Sequence, residues 1–265
     1  PFYSALNKLK RFDLHRGQEV SFPKSRIAEF NTLNDELKKL MDKVSDDYQN
    51  LKEFTENMSH ETQTPLAIIR SKLELLLQSE NLQPDQITAV YATLEAVNRL
   101  SKMNRGLILL TRIENEQFTE EQELNLSKII HAQLDLLDSF IQSRGIHVEF
   151  NPNESLKIIM NPYLADILVS NLLSNAIKYN VENGKMKITF SENALTFANS
   201  GTPMSVDGHT VFERFRKGQS KAGIGMGLSI VKRIADFYHF QPSYKYEDGM
   251  HYFTIYFNRS KLVMG

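Results

Sequence analysis

The sequence contains no cysteine among its 265 residues. The absence of cysteine excludes disulfide bonds, thiolate metal sites and cysteine nucleophiles together. The two charge signs nearly balance, with 31 basic and 32 acidic side chains and a formal net charge of -1. Nothing therefore indicates a general nucleic-acid or anionic-membrane binder. The hydrophobic fraction of 41% is typical of a globular protein, and the length suggests roughly two domains.

The sequence also lacks a long apolar run and an initial methionine. No stretch approaches the roughly 20 apolar residues needed to cross a bilayer, and no signal peptide is visible. The first residue is Pro1. We therefore interpret the sequence as a piece of a longer chain, and we expect any membrane span to lie upstream.

Glycine is absent from residues 24–78, where apolar side chains recur every three or four residues. This spacing predicts one long amphipathic helix. Residues 79–85 break the pattern with turn residues, and a second amphipathic helix is predicted over residues 85–114. Each helix has one apolar stripe that a single hairpin cannot bury fully. We therefore expect dimerisation into a four-helix bundle.

After residue 115 helical and strand-like patterns alternate. Helices are predicted over residues 127–144, 162–179 and 227–237, and strands over residues 147–151, 155–160, 185–190, 194–198, 242–246 and 251–257. Asp248 and Gly249 predict the tight turn between the last two strands. This mixture predicts an α/β sandwich that is separate from the bundle.

A first cluster of reactive side chains lies within the first long helix, where residues 60–65 read His-Glu-Thr-Gln-Thr-Pro. His60 and Thr64 share one helical face, and Glu61 follows the histidine. Imidazole is a competent nucleophile near neutral pH, and an adjacent carboxylate can fix its tautomer and raise its basicity. A proline in a helix interior lowers helix stability by about 3 kcal/mol, so the presence of Pro65 here needs an explanation. Taken alone, the segment is also compatible with a solvated histidine–glutamate pair.

A second cluster lies in residues 171–180, which read Asn-Leu-Leu-Ser-Asn-Ala-Ile-Lys-Tyr-Asn. Asn171, Asn175 and Lys178 project from one helical face, and leucines fall on the other. Amide oxygens suit Mg²⁺ and an ammonium group suits phosphate. An isolated helix with this pattern is equally compatible with a solvated polar face.

A third cluster, residues 223–228, reads Gly-Ile-Gly-Met-Gly-Leu immediately before a predicted helix. Glycines let backbone amides approach an anion, and the helix N-terminus adds a favourable dipole. A flexible turn is the alternative explanation for such a glycine pattern.

Together and in this order, these clusters resemble the sensor histidine kinases of two-component signalling over essentially the whole chain. Residues 60–65 look like their phospho-acceptor box. Residues 171–180 look like the asparagine box of their ATP-binding domain, whose fold is shared with gyrase, mismatch-repair and heat-shock-chaperone ATPases. Residues 211–215, Val-Phe-Glu-Arg-Phe, resemble the phenylalanine box, and residues 223–228 resemble the last glycine box.

The resemblance implies three segments. Residues 1–48 would be a degenerate membrane-proximal signalling helix and connector, although a plain coiled-coil linker fits the pattern as well. Residues 49–115 would form the dimerisation and histidine phosphotransfer domain, and residues 120–259 the ATP-binding catalytic domain. The expected fold is thus a helical hairpin that dimerises into a four-helix bundle, followed by an α/β sandwich.

The resemblance also implies the chemistry. His60 would accept the phosphoryl group, Glu61 would be its orienting acid/base partner, and Thr64 would help place the water that dephosphorylates the response regulator. The implied partners are a second copy of the chain, the receiver domain of a response regulator and an upstream membrane sensor, with no nucleic acid. The chain would then be the cytoplasmic region of an inner-membrane protein.

For the nucleotide, the resemblance implies that ATP and Mg²⁺ bind together. Asn175 would ligate Mg²⁺, Asn171 and Lys178 would lie near the phosphates, and Tyr179 near the nucleotide. Residues 200–226 would form a mobile lid. The remaining nucleotide-binding positions implied are Asn199, Gly201, Phe212, Arg214, Phe215, Lys217, Gly223, Gly225, Gly227 and Leu228. Arg214 and Lys217 would touch either phosphate or the dimerisation domain.

One box departs from the family pattern. The usual Asp-x-Gly-x-Gly, whose aspartate accepts a hydrogen bond from the adenine amino group, reads here Asn-Ser-Gly-Thr-Pro over residues 199–203. Asn199 keeps an acceptor oxygen but loses the charge, and Pro203 replaces the second glycine. We expect weaker adenine recognition and a less flexible lid on that side.

Two other functions remain open at this stage. Hydrolytic ATPases of the related fold carry a glutamate where Asn171 stands, and an amide cannot take a proton from water as a carboxylate can. A catalytically weak scaffold that senses and dephosphorylates is the second alternative, and the altered residues 199–203 are its best support. Labelling with radioactive ATP, for the wild type and His60→Gln, separates these functions.

Overall fold

The structure is a computed structural model that describes residues 3, 6, 22, 25–79, 81–154, 156–203, 211–212 and 226–263, without the side chains of residues 52, 55, 56, 59 and 60. The chain divides into two compact units, Pro1–Val90 and Tyr91–Gly265. None of the helices in the part that the structure describes has the length and apolarity needed to span a bilayer.

The first unit is built on one long helix, α1, which spans Ala28–Leu77. It continues through Pro65 without interruption. Asn31 in its first turn holds the backbone that precedes the helix, because its side-chain oxygen accepts from the Ser25 amide at 2.7 Å and its side-chain nitrogen donates to the Ser25 carbonyl at 2.9 Å. The long helix expected from the apolar spacing is therefore present.

A second helix, α2, spans Pro84–Glu114 and begins with a proline, which suits a first helical position because its missing N–H would have no partner there. The last turns of α2 belong to the second unit. Leu109, Leu110 and Ile113 are buried there in the same apolar cluster as Phe118. The thioether of Met226 lies over Gly106, and Glu114 pairs with Arg233.

The second unit is an α/β sandwich. Its helices in the described residues are α3 Leu126–Ser143, α4 Pro162–Lys178 and α5 Gly227–Phe237. The strands are β1 Gln122–Asn125, β2 His147–Phe150, β3 Lys157–Met160, β4 Lys185–Phe190, β5 Ala194–Ser200, β6 Gln241–Glu247 and β7 Met250–Tyr256. A short 3₁₀ turn comes next at Arg259–Lys261.

Of the described strands, five form one sheet in the order β2-β4-β5-β7-β6, with β2 and β4 parallel and the other neighbours antiparallel. Strand β1 pairs with β3 in a separate antiparallel pair. The turn between β6 and β7 places Asp248 at φ 50° and Gly249 at φ 75°. Both values suit the tight hairpin turn that the Asp-Gly pair predicts.

The hydrophobic core lies between the sheet and the helices, with α4 packed on α3, α5 and β5. Leu164, Leu168 and Leu172 of α4 have no exposed surface, and neither has Phe197 on β5. The predicted sandwich fold is confirmed. The sequence patterns did not predict β1, the 3₁₀ turn at Arg259–Lys261 or the extension of β5 through Ser200, which places Asn199 inside the strand.

Side chains from outside α4 satisfy the backbone at both of its ends. At the start, the side-chain oxygen of Asn161 accepts from the amides of Tyr163 and Leu164 at 3.0 and 3.2 Å, a standard N-cap arrangement. At the other end, the guanidinium of Arg144 donates to three carbonyls, two in the last turn and one just beyond the helix. The accepting carbonyls are those of Ile177, Lys178 and Asn180, with hydrogen-bond lengths of 3.2 Å to Lys178 and 2.9 Å to Asn180.

We expect Arg144→Met to lower the free energy of unfolding by about 1–3 kcal/mol, because methionine keeps an unbranched stem but leaves helix C-terminal carbonyls without their charged donor. Urea denaturation and the melting temperature measure this loss. Arg99→Met, at an exposed position of α2, is the matched control and should change little. Equal losses for the two variants would contradict the capping role.

Candidate functional site

Helix α4 presents a polar face opposite its buried leucines. Asn171, Asn175, Lys178 and the following Tyr179 are half-buried. The apolar residues between them are buried in the core, namely Leu172, Leu173, Ala176 and Ile177, whereas Ser174 is exposed. The alternation places the polar residues predicted from the sequence together on one side of the domain, with the sheet on the other.

The polar face of α4 touches the first residue of α5. A Cβ at Gly227 would lie 2.9 Å from the side-chain oxygen of Asn171, so a glycine is needed for this close approach. The side-chain nitrogen of Asn171 donates to the Ile167 carbonyl at 2.8 Å, which fixes the amide. The start of α5 carries no side-chain cap. In the part of the chain that the structure describes, its first amides therefore lie beside Asn171 without a side-chain acceptor.

Asn175 and Lys178 supply the other polar groups of this face. Within the described residues, the buried side-chain nitrogen of Asn175 has no hydrogen-bond partner. The ammonium of Lys178 lies over the ring of Tyr179, 5.1 Å from its centroid, a distance typical of a cation–π contact. An unpaired amide donor beside a cation is an arrangement suited to an anion.

Asn199 lies at the end of β5 and has no exposed surface. Its side-chain nitrogen donates to the Ser200 carbonyl at 2.9 Å. Its side-chain oxygen is buried and has no partner among the described residues. A buried unpaired acceptor is costly, so its presence here indicates a place for a ligand donor.

The turn after Asn199 meets the C-terminal end of α4. A Cβ at Gly201 would lie 3.1 Å from the backbone oxygen of Tyr179 and 2.4 Å from the ring of His251. Gly201 is thus the second position at which the site needs the absence of a side chain. Through Gly227 and Gly201, α4 contacts both the start of α5 and the end of β5.

Several predicted residues lie outside the described ones. They are Arg214, Phe215, Lys217, Gly223 and Gly225, together with most of the expected lid over residues 200–226. Phe212 is described, is buried, and packs edge-on against Phe253 with ring centroids 6.4 Å apart. Leu228 is half-buried and packs against the core.

The predicted phosphotransfer residues belong to the first compact unit. Residues 60–64 all lie in the middle of α1, and the side chain of His60 is not among those described. Glu61 and Thr64 are exposed. The hydroxyl of Thr62 donates to the Met58 carbonyl at 2.6 Å, as is common for threonine inside a helix.

The sequence patterns missed two residues that shape the site. Arg144 holds the end of α4, and His251 packs against Gly201. The Asp-Gly turn sets the register that pairs Tyr246 with His251, so that pairing was available from sequence. No local pattern connects either residue with the distant segment that it contacts.

Two family profiles match the chain. The profile described as "His Kinase A (phospho-acceptor) domain" matches residues 50–116. The profile described as "Histidine kinase-, DNA gyrase B-, and HSP90-like ATPase" matches residues 161–261. The first contains residues 60–65, and the second contains residues 171–180 and 199–203. Both domain types expected from the sequence are confirmed.

Two curated relatives are similar to most of this chain. Sensor protein CutS of Streptomyces coelicolor is 32% identical over 230 residues, which are 80% of this chain and 55% of CutS. Heme sensor protein HssS of Staphylococcus saprophyticus is 30% identical over 241 residues, which are 81% of this chain and 48% of HssS. The chain thus spans about half the length of these relatives.

A solved structure, full-length ShkA in complex with AMPPNP, has a similar fold. Its TM-score is 0.55 at 19% sequence identity, and the match covers 78% of this chain and 46% of that chain. At this identity the similarity concerns the fold alone.

Proposed function

The chain belongs to the sensor histidine kinases, and from that premise we propose that it transfers the γ-phosphoryl group of ATP to His60 and then to an aspartate of a response regulator. The observation that carries this proposal is the convergence on α4. Asn171 on its polar face adjoins Gly227, and Tyr179, just after its last residue, adjoins Gly201, so described residues of the last glycine box and of the box that contains Asn199 both contact the asparagine box.

The residues of this site fit a magnesium–nucleotide complex. Asn175 offers an amide nitrogen without a protein partner among the described residues, which suits a phosphate oxygen, and its side-chain oxygen is the kind of ligand that Mg²⁺ takes. The uncapped start of α5 offers amides to the phosphates, with Lys178 nearby on α4. When bound, the metal ion would neutralise developing charge on the phosphates.

At His60, an imidazole nitrogen would attack the γ-phosphorus of ATP. A nitrogen–phosphorus bond forms, the bond to the bridging oxygen breaks, and ADP leaves with the electron pair. Glu61, exposed beside it on α1, would accept the ring proton and hold the tautomer. The phosphoryl group would then pass to the carboxylate of the response regulator, which restores His60.

Asn171 supports transfer rather than hydrolysis. Its amide is committed to the Ile167 carbonyl and to packing against Gly227. Unlike a carboxylate, the amide has no basic group with which to activate a water molecule. Thr64, one turn after His60, would instead place water for dephosphorylation of the response regulator.

We extend the proposal to the whole protein by the same resemblance. The chain would be the cytoplasmic region of an inner-membrane sensor, and residues 1–48 would connect it to the membrane. Its domains would be residues 49–115 for dimerisation and phosphotransfer and residues 120–259 for ATP binding. The expected partners are a second copy and a receiver domain.

We expect ATP to label the wild type with acid-labile, alkali-stable phosphate and to leave His60→Gln unlabelled. Glu61→Ala should slow labelling by roughly 10²–10⁴-fold, as loss of a general base does, with ATP affinity nearly unchanged. Labelling rates and calorimetric affinities measure both effects, and Glu53→Ala, at an exposed glutamate of α1, is the control. Loss of ATP binding in Glu61→Ala would contradict its assigned role.

We expect a homodimer, because α1 has apolar side chains that are more than a third exposed in the single chain. They include Leu33, Leu40, Val44, Leu51, Phe54 and Met58. Light scattering at micromolar concentration should give twice the mass of one chain. The double variant Leu40→Asp, Val44→Asp should weaken the dimer, and Lys43→Asp should not. A monomeric wild type would rule this arrangement out.

We expect Asn199→Leu to bind ATP about tenfold more weakly and to lose most of its preference for ATP over GTP. In the variant the adenine amino group would have no acceptor. In the wild type the side-chain nitrogen of Asn199 donates to the Ser200 carbonyl, and this bond opposes the rotation that would let the amide donate to GTP. Calorimetry with ATP and GTP measures the ratio, and Asn153→Leu, on an exposed loop, is the control. An unchanged ratio would mean that Asn199 does not read the base.

A further inference from the structure

A buried histidine lies at the end of the sheet where β5 enters the turn over residues 201–203. His251 on β7 is only 2% exposed. Its Cα pairs with that of Asn199 on β5 and with that of Tyr246 on β6. Side chains at paired positions of neighbouring strands lie on the same face of the sheet. Tyr246, His251 and Asn199 therefore form one cross-strand row.

The histidine and its neighbours hold the turn directly. The ring edge of His251 that carries Nε2 packs against Gly201, where a Cβ would lie 2.4 Å from that atom. The Thr202 backbone acts on the ring as a hydrogen-bond acceptor does. The Tyr246 hydroxyl donates to the Gly201 carbonyl at 3.1 Å, and the Gly201 amide donates to the Gly249 carbonyl at 3.0 Å.

These hydrogen bonds suit the neutral imidazole. Burial lowers the pKa of His251, and the Thr202 backbone works against this effect, as an accepting carbonyl does, so Nε2 carries the proton on that side. The Tyr244 hydroxyl lies 2.9 Å from Nδ1 and can donate to it. Burial is the larger influence and lowers the pKa of His251 below its ordinary value of 6.5.

Among the described residues, the groups that face the ring offer no counter-ion to a second proton. From β6 come the phenols of Tyr244 and Tyr246, with ring centroids 5.9 and 4.8 Å from that of the imidazole. Burial raises the pKa of Tyr244, so its phenol stays neutral. From β5 comes the amide of Asn199, and residues 201–203 bring no titratable side chain. A charged His251 would thus be buried and uncompensated by the described residues around it.

We propose that His251 is a positioning residue for base recognition: its neutral ring holds residues 201–203 beside Asn199, and protonation of the ring weakens nucleotide binding. The inference rests on the proposed function, because it requires Asn199 to read the base. Because burial lowers the pKa of His251 in the folded protein, nucleotide binding should weaken toward low pH. The neutral ring supports residues 201–203 fully above about pH 6.5. This support is lost as the pH falls through the lowered pKa of His251.

The test measures ATP affinity of the whole chain by calorimetry, with Mg²⁺, between about pH 5 and pH 8. In His251→Gln the side-chain amide can donate to Thr202 but cannot take up a proton in this range. At pH 8 its affinity should be within about twofold of the wild type. As the pH falls, the wild type should become about tenfold weaker relative to His251→Gln.

Titration of the ATP phosphates changes the affinity of the wild type and of His251→Gln alike. The ratio of the two affinities therefore reports only the effect of residue 251. His251→Leu should bind ATP about tenfold more weakly at pH 8, because Thr202 and Tyr244 lose their partner. His147→Gln, at an exposed histidine of β2, is the matched control and should follow the wild type at every pH.

The outcomes separate the two proposals. A wild type that binds no ATP at any pH would contradict the proposed function itself. ATP binding with a ratio that does not change with pH, or with His251→Leu equal to the wild type, would contradict only the role of His251. A melting curve would show whether His251→Leu folds. If it does not, the pH dependence of the affinity ratio between the wild type and His251→Gln still tests the role of His251.

Discussion

Burial of one face of α4 is the constraint on which the proposed nucleotide site depends. Leu164, Leu168 and Leu172 have no exposed surface, and each fully buried leucine contributes about 1.5–3 kcal/mol. Any rotation of the helix about its axis would expose them. The polar residues on the opposite face, Asn171 and Asn175, therefore have a fixed direction before any ligand binds, which is the preorganisation that catalysis requires.

Two close approaches connect the rest of the site to this helix. Gly227 lies against Asn171, and Gly201 lies against the end of α4 at Tyr179. A side chain at either glycine would separate elements that, in the proposed function, act on the same nucleotide. Because Arg144 and Asn161 satisfy the two ends of α4, the helix is a rigid reference for α5 on one side and for β5 on the other.

Two buried polar side chains lie next to each other at one end of the sheet. Asn199 and His251 are buried, and groups of this kind cost stability unless they are hydrogen-bonded. His251 has the Tyr244 hydroxyl 2.9 Å from its Nδ1, whereas the side-chain oxygen of Asn199 is unpaired within the described residues. This difference fits the proposed roles, in which His251 positions the turn and Asn199 contacts the ligand.

The amino-acid sequence by itself determined the helices, most strands, the Asp-Gly hairpin and the order of the motifs, because apolar periodicity and turn chemistry act between residues close along the chain. Only the tertiary structure decided the pairing of β1 with β3, the capping of α4 by Arg144 and the packing of His251 against Gly201. These contacts join segments far apart in sequence. Local patterns carry no record of them, since they arise only when the sheet and the helices pack together.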